Sequence, residues 1–182
     1  MYIQQTIQWI QSIVISLNLC PFAKREMDNN RVRIEVSLAT RFEEGIKSLI
    51  EEIEHLNTHP STGTTLLLFP YFLSDFLTYL DFVDLANETI VQIGQQNTYQ
   101  LATFHPAYQF HGTHVDDVTN YTNRSPYPML HLLREEMLDS AIAYYGNTET
   151  IPANNIRRLQ RLGLEGISKL LPFTMPSNCN GH

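Results

Sequence analysis

The stretch Thr64–Tyr71, TTLLLFPY, decides the fold. Its apolar residues run on without the alternation of a half-wet strand, which suits a strand covered on both faces. Such a strand is central, with layers above and below it. Upstream, residues 31–39 read RVRIEVSLA, in which Val32, Ile34, Val36 and Leu38 alternate with polar residues as a half-buried strand requires. Between the two, Thr40 and Glu43 form a T-x-x-E capping box, followed by a helical face of Phe42, Ile46, Leu49, Ile50, Ile53 and Leu56. Downstream, Ser74 can cap a helix through Phe76, Leu80, Val83 and Ile90 that stops at Gly94, before a third strand, YQLATF.

The order is therefore strand, helix, strand, helix, strand. Both connections are long enough for crossovers, so parallel pairing is expected. Residues 3–17 carry Ile3, Ile7, Ile10, Val14 and Leu17 at helical spacing. A helix is predicted from about Pro126 to Tyr145, ending at Gly146, and another from near Pro152 through IRRLQRLGLEGISKLL. The predicted fold is α/β: a single layered domain over residues 1–182, with a small, mainly parallel sheet of at least three strands packed with about five helices. The tail 172–182, PFTMPSNCNGH, is expected to be loosely held.

With 182 residues and 43% hydrophobic content, the chain can bury a substantial core. The N-terminal stretch lacks the basic region and small-residue cleavage site of a signal peptide, and glutamines interrupt it. Two cysteines, Cys20 and Cys179, are too few for a disulfide framework and compatible with a reducing cytoplasm, although a bridge between them is open. A formal charge of -7 argues against nucleic acid as a partner, and no apolar run is long enough to span a membrane. Arg157, Arg158 and Arg161 read as a solvated helical face. Neither GxGxxG nor GKS/GKT occurs, so neither familiar nucleotide loop is present. Oligomeric state is not legible.

Chemistry concentrates in His105–Glu136 and around Cys20. His105 stands where the third strand should end, and open α/β sheets favour ligands at the carboxyl ends of strands. His105, His111 and His114, with Asp116 and Asp117 close behind, could hold a transition metal or simply cap backbone groups in a polar loop. In NRSPYP, Ser125 can act as an N-cap and Pro126 and Pro128 fit a first helical turn. Arg124 beside that helix start could take a carboxylate or phosphate, or could fasten the loop to an acidic residue. On a helix, His131 and Glu135 would share a side at i,i+4, with Arg134 at i+3, as a general base and its orienting carboxylate or as a structural pair. Aromatic residues including Phe104, Tyr108 and Tyr127 could wall a pocket or pack the loop down.

Cys20 precedes Pro21, with Lys24 and Arg25 close by. A short helix begun by Pro21 would favour a thiolate, whereas the Leu-Cys-Pro-Phe context equally suits a buried, inert thiol. A constellation of Cys20, His105 and Asn123 for nucleophilic catalysis is one further arrangement, and Ser125 with a histidine and Asp116 or Asp117 is another.

Taken together, LNLCPFA (residues 17–23), FHPAYQF (104–110) and TNRSPYPMLHLLREEMLDSA (122–141) resemble an uncharacterised bacterial family, the domain-of-unknown-function family fourteen-fifteen, over nearly the whole chain. That resemblance implies a single bacterial domain but no reaction, cofactor or catalytic residue. The working expectation is an enzyme acting on a small anionic metabolite at the strand carboxyl ends. Cys20, His105, His131 and Glu135 are its catalytic candidates, and Asn123, Arg124, Ser125, Tyr127 and Arg134 its ligand contacts. No cofactor is assigned. The alternatives are a metal or redox-thiol protein using Cys20 and the loop histidines, and a noncatalytic binding module.

Overall fold

The computed structural model describes residues 1–138, 143, 146 and 148–171. The bound on the tail and the fate of Cys179 lie outside the described residues. Helix α1 (Tyr2–Trp9) continues directly into a π-helical turn, Ile10–Ile15. After a short α2 (Ala23–Asp28) come β1 (Val32–Val36), α3 (Phe42–Thr58), β2 (Thr64–Leu68), α4 (Phe76–Gln92) and β3 (Tyr99–Phe104). A long loop containing a 3₁₀ turn, Val118–Thr122, leads to β4 (Met129–Arg134), and α5 (Ile151–Leu170) closes the described chain.

The sheet order is β1-β2-β4-β3. β1 and β2 pair in parallel, while β4 lies antiparallel between β2 and β3. The α/β class and the three strands read from the sequence are present, and β2 is central. The mainly parallel sheet is corrected, because two of the three strand pairings are antiparallel. α3 and α4 return the chain to the same end, so β1, β2 and β3 all run one way. The loop after β3 has no crossing helix, and the chain therefore comes straight back through the gap between β2 and β3.

β4 also corrects the helix expected from Pro126: the structure has extended chain through Arg134, and helical residues begin only at Glu135. Two smaller differences concern caps. α4 is capped by Asp75 rather than Ser74, its carboxylate accepting from the Thr78 amide at 2.8 Å. At α3 it is Glu44, not Glu43, that reaches back to the Thr40 amide, at 3.0 Å. α5 matches its expected span but kinks at Gly163, whose φ of 68° a side chain would strain.

Strand alternation sorts the core into two layers. On one face Leu67, Leu130 and Leu132 meet Leu49, Ile53 and Leu56 of α3 and Tyr79, Phe82 and Ile90 of α4. Gly45 makes room there, since a Cβ would lie 2.9 Å from the rings of Phe72 and Phe82. On the other face Leu66, Leu68 and Met129 meet Trp9, Ile10 and Ile13 of the first helix and Leu159 and Ile167 of α5. Among the described residues, no helix is long and apolar enough to cross a membrane.

Candidate functional site

The first face is filled; the second is not. Between the sheet, the α1–π segment and the Cys20–Asp28 stretch lies a cavity of about 720 Å³, a size suited to a small organic molecule. Trp9, Ile10, Val14, Phe22, Leu66 and Phe104 make its walls mostly apolar. Its polar groups are His131, Thr64 and Cys20, with Arg25, Glu26, Arg31, Arg134 and Glu136. The lining takes in Val32, Gly63 and Thr64, so the cavity lies towards the amino ends of β1 and β2 rather than the expected carboxyl ends.

His131 reaches the cavity because β4 is a strand. Paired with Leu66 on one side and Ala102 on the other, it shares their face of the sheet. Its Nε2 lies 2.7 Å from Thr64 Oγ1. Thr64 has one hydroxyl proton and donates it to the Leu132 carbonyl, so towards His131 it can only accept. The ring is therefore the Nε2–H tautomer, and Nδ1 carries the lone pair. Among the described residues Nδ1 has no hydrogen-bond partner. Burial pushes the His131 pKa down to about 4, so the imidazole is neutral at pH 7.

Cys20 lines the same cavity and is a free thiol. It precedes the new helix α2, as the sequence allowed, and the amides of Phe22 and Ala23 point to its sulfur. Burial outweighs those two dipoles and raises the thiol pKa, so Cys20 is protonated at neutral pH.

Of the other candidates, Arg134 also lines this cavity, and the rest are placed elsewhere. His105 is fully buried against Phe76 and Tyr79 on the α4 side. Its Nε2 donates to the Leu73 carbonyl at 2.9 Å and its Nδ1 accepts from the Ala107 amide at 3.0 Å. Both nitrogens are spent, and burial lowers its pKa. The Leu73 backbone that it holds has φ 65°, unusual for a branched residue. The grouping of Cys20 with His105 is thus corrected: the sheet separates them.

Arg124 donates from Nε to the Tyr108 carbonyl at 3.1 Å and from a terminal nitrogen to that of Val115 at 2.6 Å, and stacks over Tyr121. Its own carbonyl accepts from Trp9 Nε1 at 3.0 Å. It fastens the loop, through carbonyls rather than through Asp116 or Asp117. The helix start expected at Ser125 is absent, so the anion site built on it is corrected. Ser125 is buried and donates to the Tyr127 carbonyl, and Tyr127 packs edge-on against Tyr2. Asn123 donates to the Thr103 carbonyl at 2.9 Å. Arg134 donates to the Tyr99 hydroxyl at 3.1 Å and to the Leu56 carbonyl.

Glu135 cannot pair with His131, since four residues of extended chain put them about 13 Å apart; its amide donates to the Thr98 carbonyl at 3.0 Å. His111 and His114 are exposed. Among the described residues, no group of three or more His, Cys, Asp or Glu side chains is placed to hold a metal ion.

Sequence reasoning missed Thr64, Glu26 and Arg31. The available signal was Thr64 opening an otherwise apolar strand just after Gly63, and Arg31 standing immediately before β1. A family model described as "Protein of unknown function (DUF1415)" matches residues 1–169. No curated protein and no solved structure matches the chain.

Proposed function

The chain belongs to the family of proteins of unknown function DUF1415, and on that footing we propose that it is an enzyme acting on a small molecule with an apolar body and an acidic group, held between the sheet, α1 and α2. The observation that carries this reading is His131: a neutral imidazole lining a largely apolar cavity, with Nε2–H committed to Thr64 and Nδ1 unspent. That nitrogen is suited to accept a proton from a substrate hydroxyl, amine or activated C–H group. The resulting imidazolium keeps its Thr64 contact, and the apolar walls favour early return of the proton to the product. Arg25, exposed and without an ion pair among the described residues, and Arg31 both line the cavity and give that wall the positive charge that favours an acidic group.

A second reading, a noncatalytic binding protein, draws on one specific fact. A histidine held near pKa 4 is a weak base at pH 7 and a good hydrogen-bond acceptor. One experiment separates the two. The protein and its His131→Gln variant are incubated with a pooled metabolite mixture, and mass spectrometry follows retained ligands and new products. Catalysis is expected to fall by about 10²–10⁴-fold in the variant, with retention of the ligand changed far less. A ligand retained and released unchanged by both proteins supports the binding reading, and no retained ligand contradicts both.

A further inference from the structure

The charged wall of the cavity lies where α2, the start of β1 and the turn before β2 meet. Glu26 Oε2 and Arg31 Nε approach there to 3.1 Å, and both residues line the cavity. Yet both atoms are cut off from solvent and neither has an aligned hydrogen-bond partner in the structure. The charges are adjacent but misdirected. The remaining polar contact of the Arg31 side chain is weak, a terminal nitrogen 3.7 Å from Met137 Sδ.

The other half-buried guanidiniums contrast with it. Arg33 grips Glu52 with two bonds, at 2.8 and 3.1 Å, and Arg124 and Arg134 are spent on carbonyls and a phenol. A guanidinium presents five donors in a planar fork, and a buried donor without an aligned partner is costly. Arg31 therefore has unused donor capacity inside a ligand-sized space.

Gly63 shows that this corner is shaped around the pair. A Cβ there would lie 2.8 Å from Glu26 Oε2, 3.1 Å from Arg31 Nε and 3.0 Å from Met137 Cε. No left-handed backbone demands glycine at this position, so the missing side chain serves space. It leaves the pair room to sit over the strand entry, at the charged corner of the cavity.

We propose that Arg31 anchors the carboxylate of a monoanionic ligand, and that Glu26 holds the guanidinium until the ligand takes it over. This inference rests on the cavity being the ligand site. A carboxylate presents two coplanar oxygens that match the guanidinium fork. Glu26 stays beside the anchor and repels further negative charge, which selects a singly charged head group over a dianionic phosphate. The apolar walls supplied by Trp9, Val14, Leu66 and Phe104 require the rest of the molecule to be hydrocarbon. The ligand class is an aromatic or branched aliphatic monocarboxylate.

The test uses three probes sharing one apolar body, 2-naphthoate, 2-naphthyl phosphate and 2-naphthamide, titrated calorimetrically into the full chain. 2-Naphthoate is expected to bind at least tenfold more tightly than either of the others. Arg31→Gln should erase that preference, and Glu26→Gln should strengthen 2-naphthoate binding several-fold and relax discrimination against the phosphate. Ala102→Phe and Val14→Phe, which fill the cavity, should abolish binding of all three, with circular dichroism confirming the fold of each variant. If filling the cavity abolishes binding but Arg31→Gln leaves the preference intact, the anchor assignment is overturned and the cavity reading stands. If 2-naphthoate still binds both filled variants, or none of the probes binds the unmodified protein, the cavity reading itself is overturned, and the anchor with it.

Discussion

The two faces of the sheet each carry a histidine, one fully buried and one half-buried, and the two are not alike. On the α3–α4 face, His105 sits in a filled core and spends both ring nitrogens holding Leu73 and Ala107. On the α1–α5 face, His131 spends one nitrogen on Thr64 and lines a cavity of about 720 Å³ with the other unspent. Burial lowers both pKa values. A perturbed histidine therefore does not by itself mark a site; an unspent lone pair beside empty, enclosed space does.

The largest effect that can break this contrast is in packing. Phe82, fully buried and in ring contact with Phe42, Phe69 and Phe72, is expected to cost about 3–5 kcal/mol on replacement by Ala. Phe104→Ala, which only widens an existing cavity, should cost distinctly less. Equal losses by urea unfolding would mean that the second face is as tightly packed as the first.

Next come the histidines. His105→Ala leaves the Leu73 carbonyl and the Ala107 amide unpaired in a dry core and removes the clamp on a strained backbone, for a loss of about 3 kcal/mol. His131→Ala strands only the Thr64 hydroxyl oxygen, beside open space, and should cost about 1 kcal/mol. The reverse order would assign the structural role to His131.

The smallest effect is in pH dependence. In the unfolded chain both histidines take up a proton near pH 6.5, whereas the folded protein holds both in the neutral form below that. The unfolded state then binds more protons, so stability is full above about pH 6.5 and falls as pH drops below it. His131 contributes to that fall down to about pH 4. The slope approaches at most about 1.4 kcal/mol per pH unit for each histidine. Denaturant midpoints between pH 7 and 5 should flatten partly in His131→Gln; no change in slope would contradict the neutral His131.

The same contrast explains what the sequence could tell. Patterns with one reading were legible: TTLLLFPY as a central strand, RVRIEV as its parallel neighbour, YQLATF as a third strand, and the amphipathic helices between them. MLHLLR has two readings. Leu130, Leu133 and Met137 continue a helical stripe, while Leu130 and Leu132 alternate with His131 as a strand, and six residues are too few for periodicity to choose. Pro126 and Pro128 tipped the reading towards a helix start, although prolines serve equally to lead an extended segment into a sheet.

That one reading moved the site. It placed Arg124 and Ser125 at an anion-binding helix end and His131 beside Glu135, none of which survives in a strand. Cys20 and His131 were singled out from sequence and do line one cavity. Arg31 and Glu26 were not singled out, because nothing local distinguishes a guanidinium with idle donors from one that is fully paired. That difference belongs to the tertiary contacts around Gly63.

Imidazole ¹⁵N spectroscopy of the full chain, with His131→Gln and His105→Gln to assign the signals, tests the central contrast most directly. The expected result is a His131 ring in the Nε2–H form that stays neutral until about pH 4, with its Nδ1 resonance moving when 6-hydroxy-2-naphthoate is added while the His105 resonances stay fixed. A His131 that titrates near 6.5, or an added ligand that shifts His105 and leaves His131 unmoved, would contradict it.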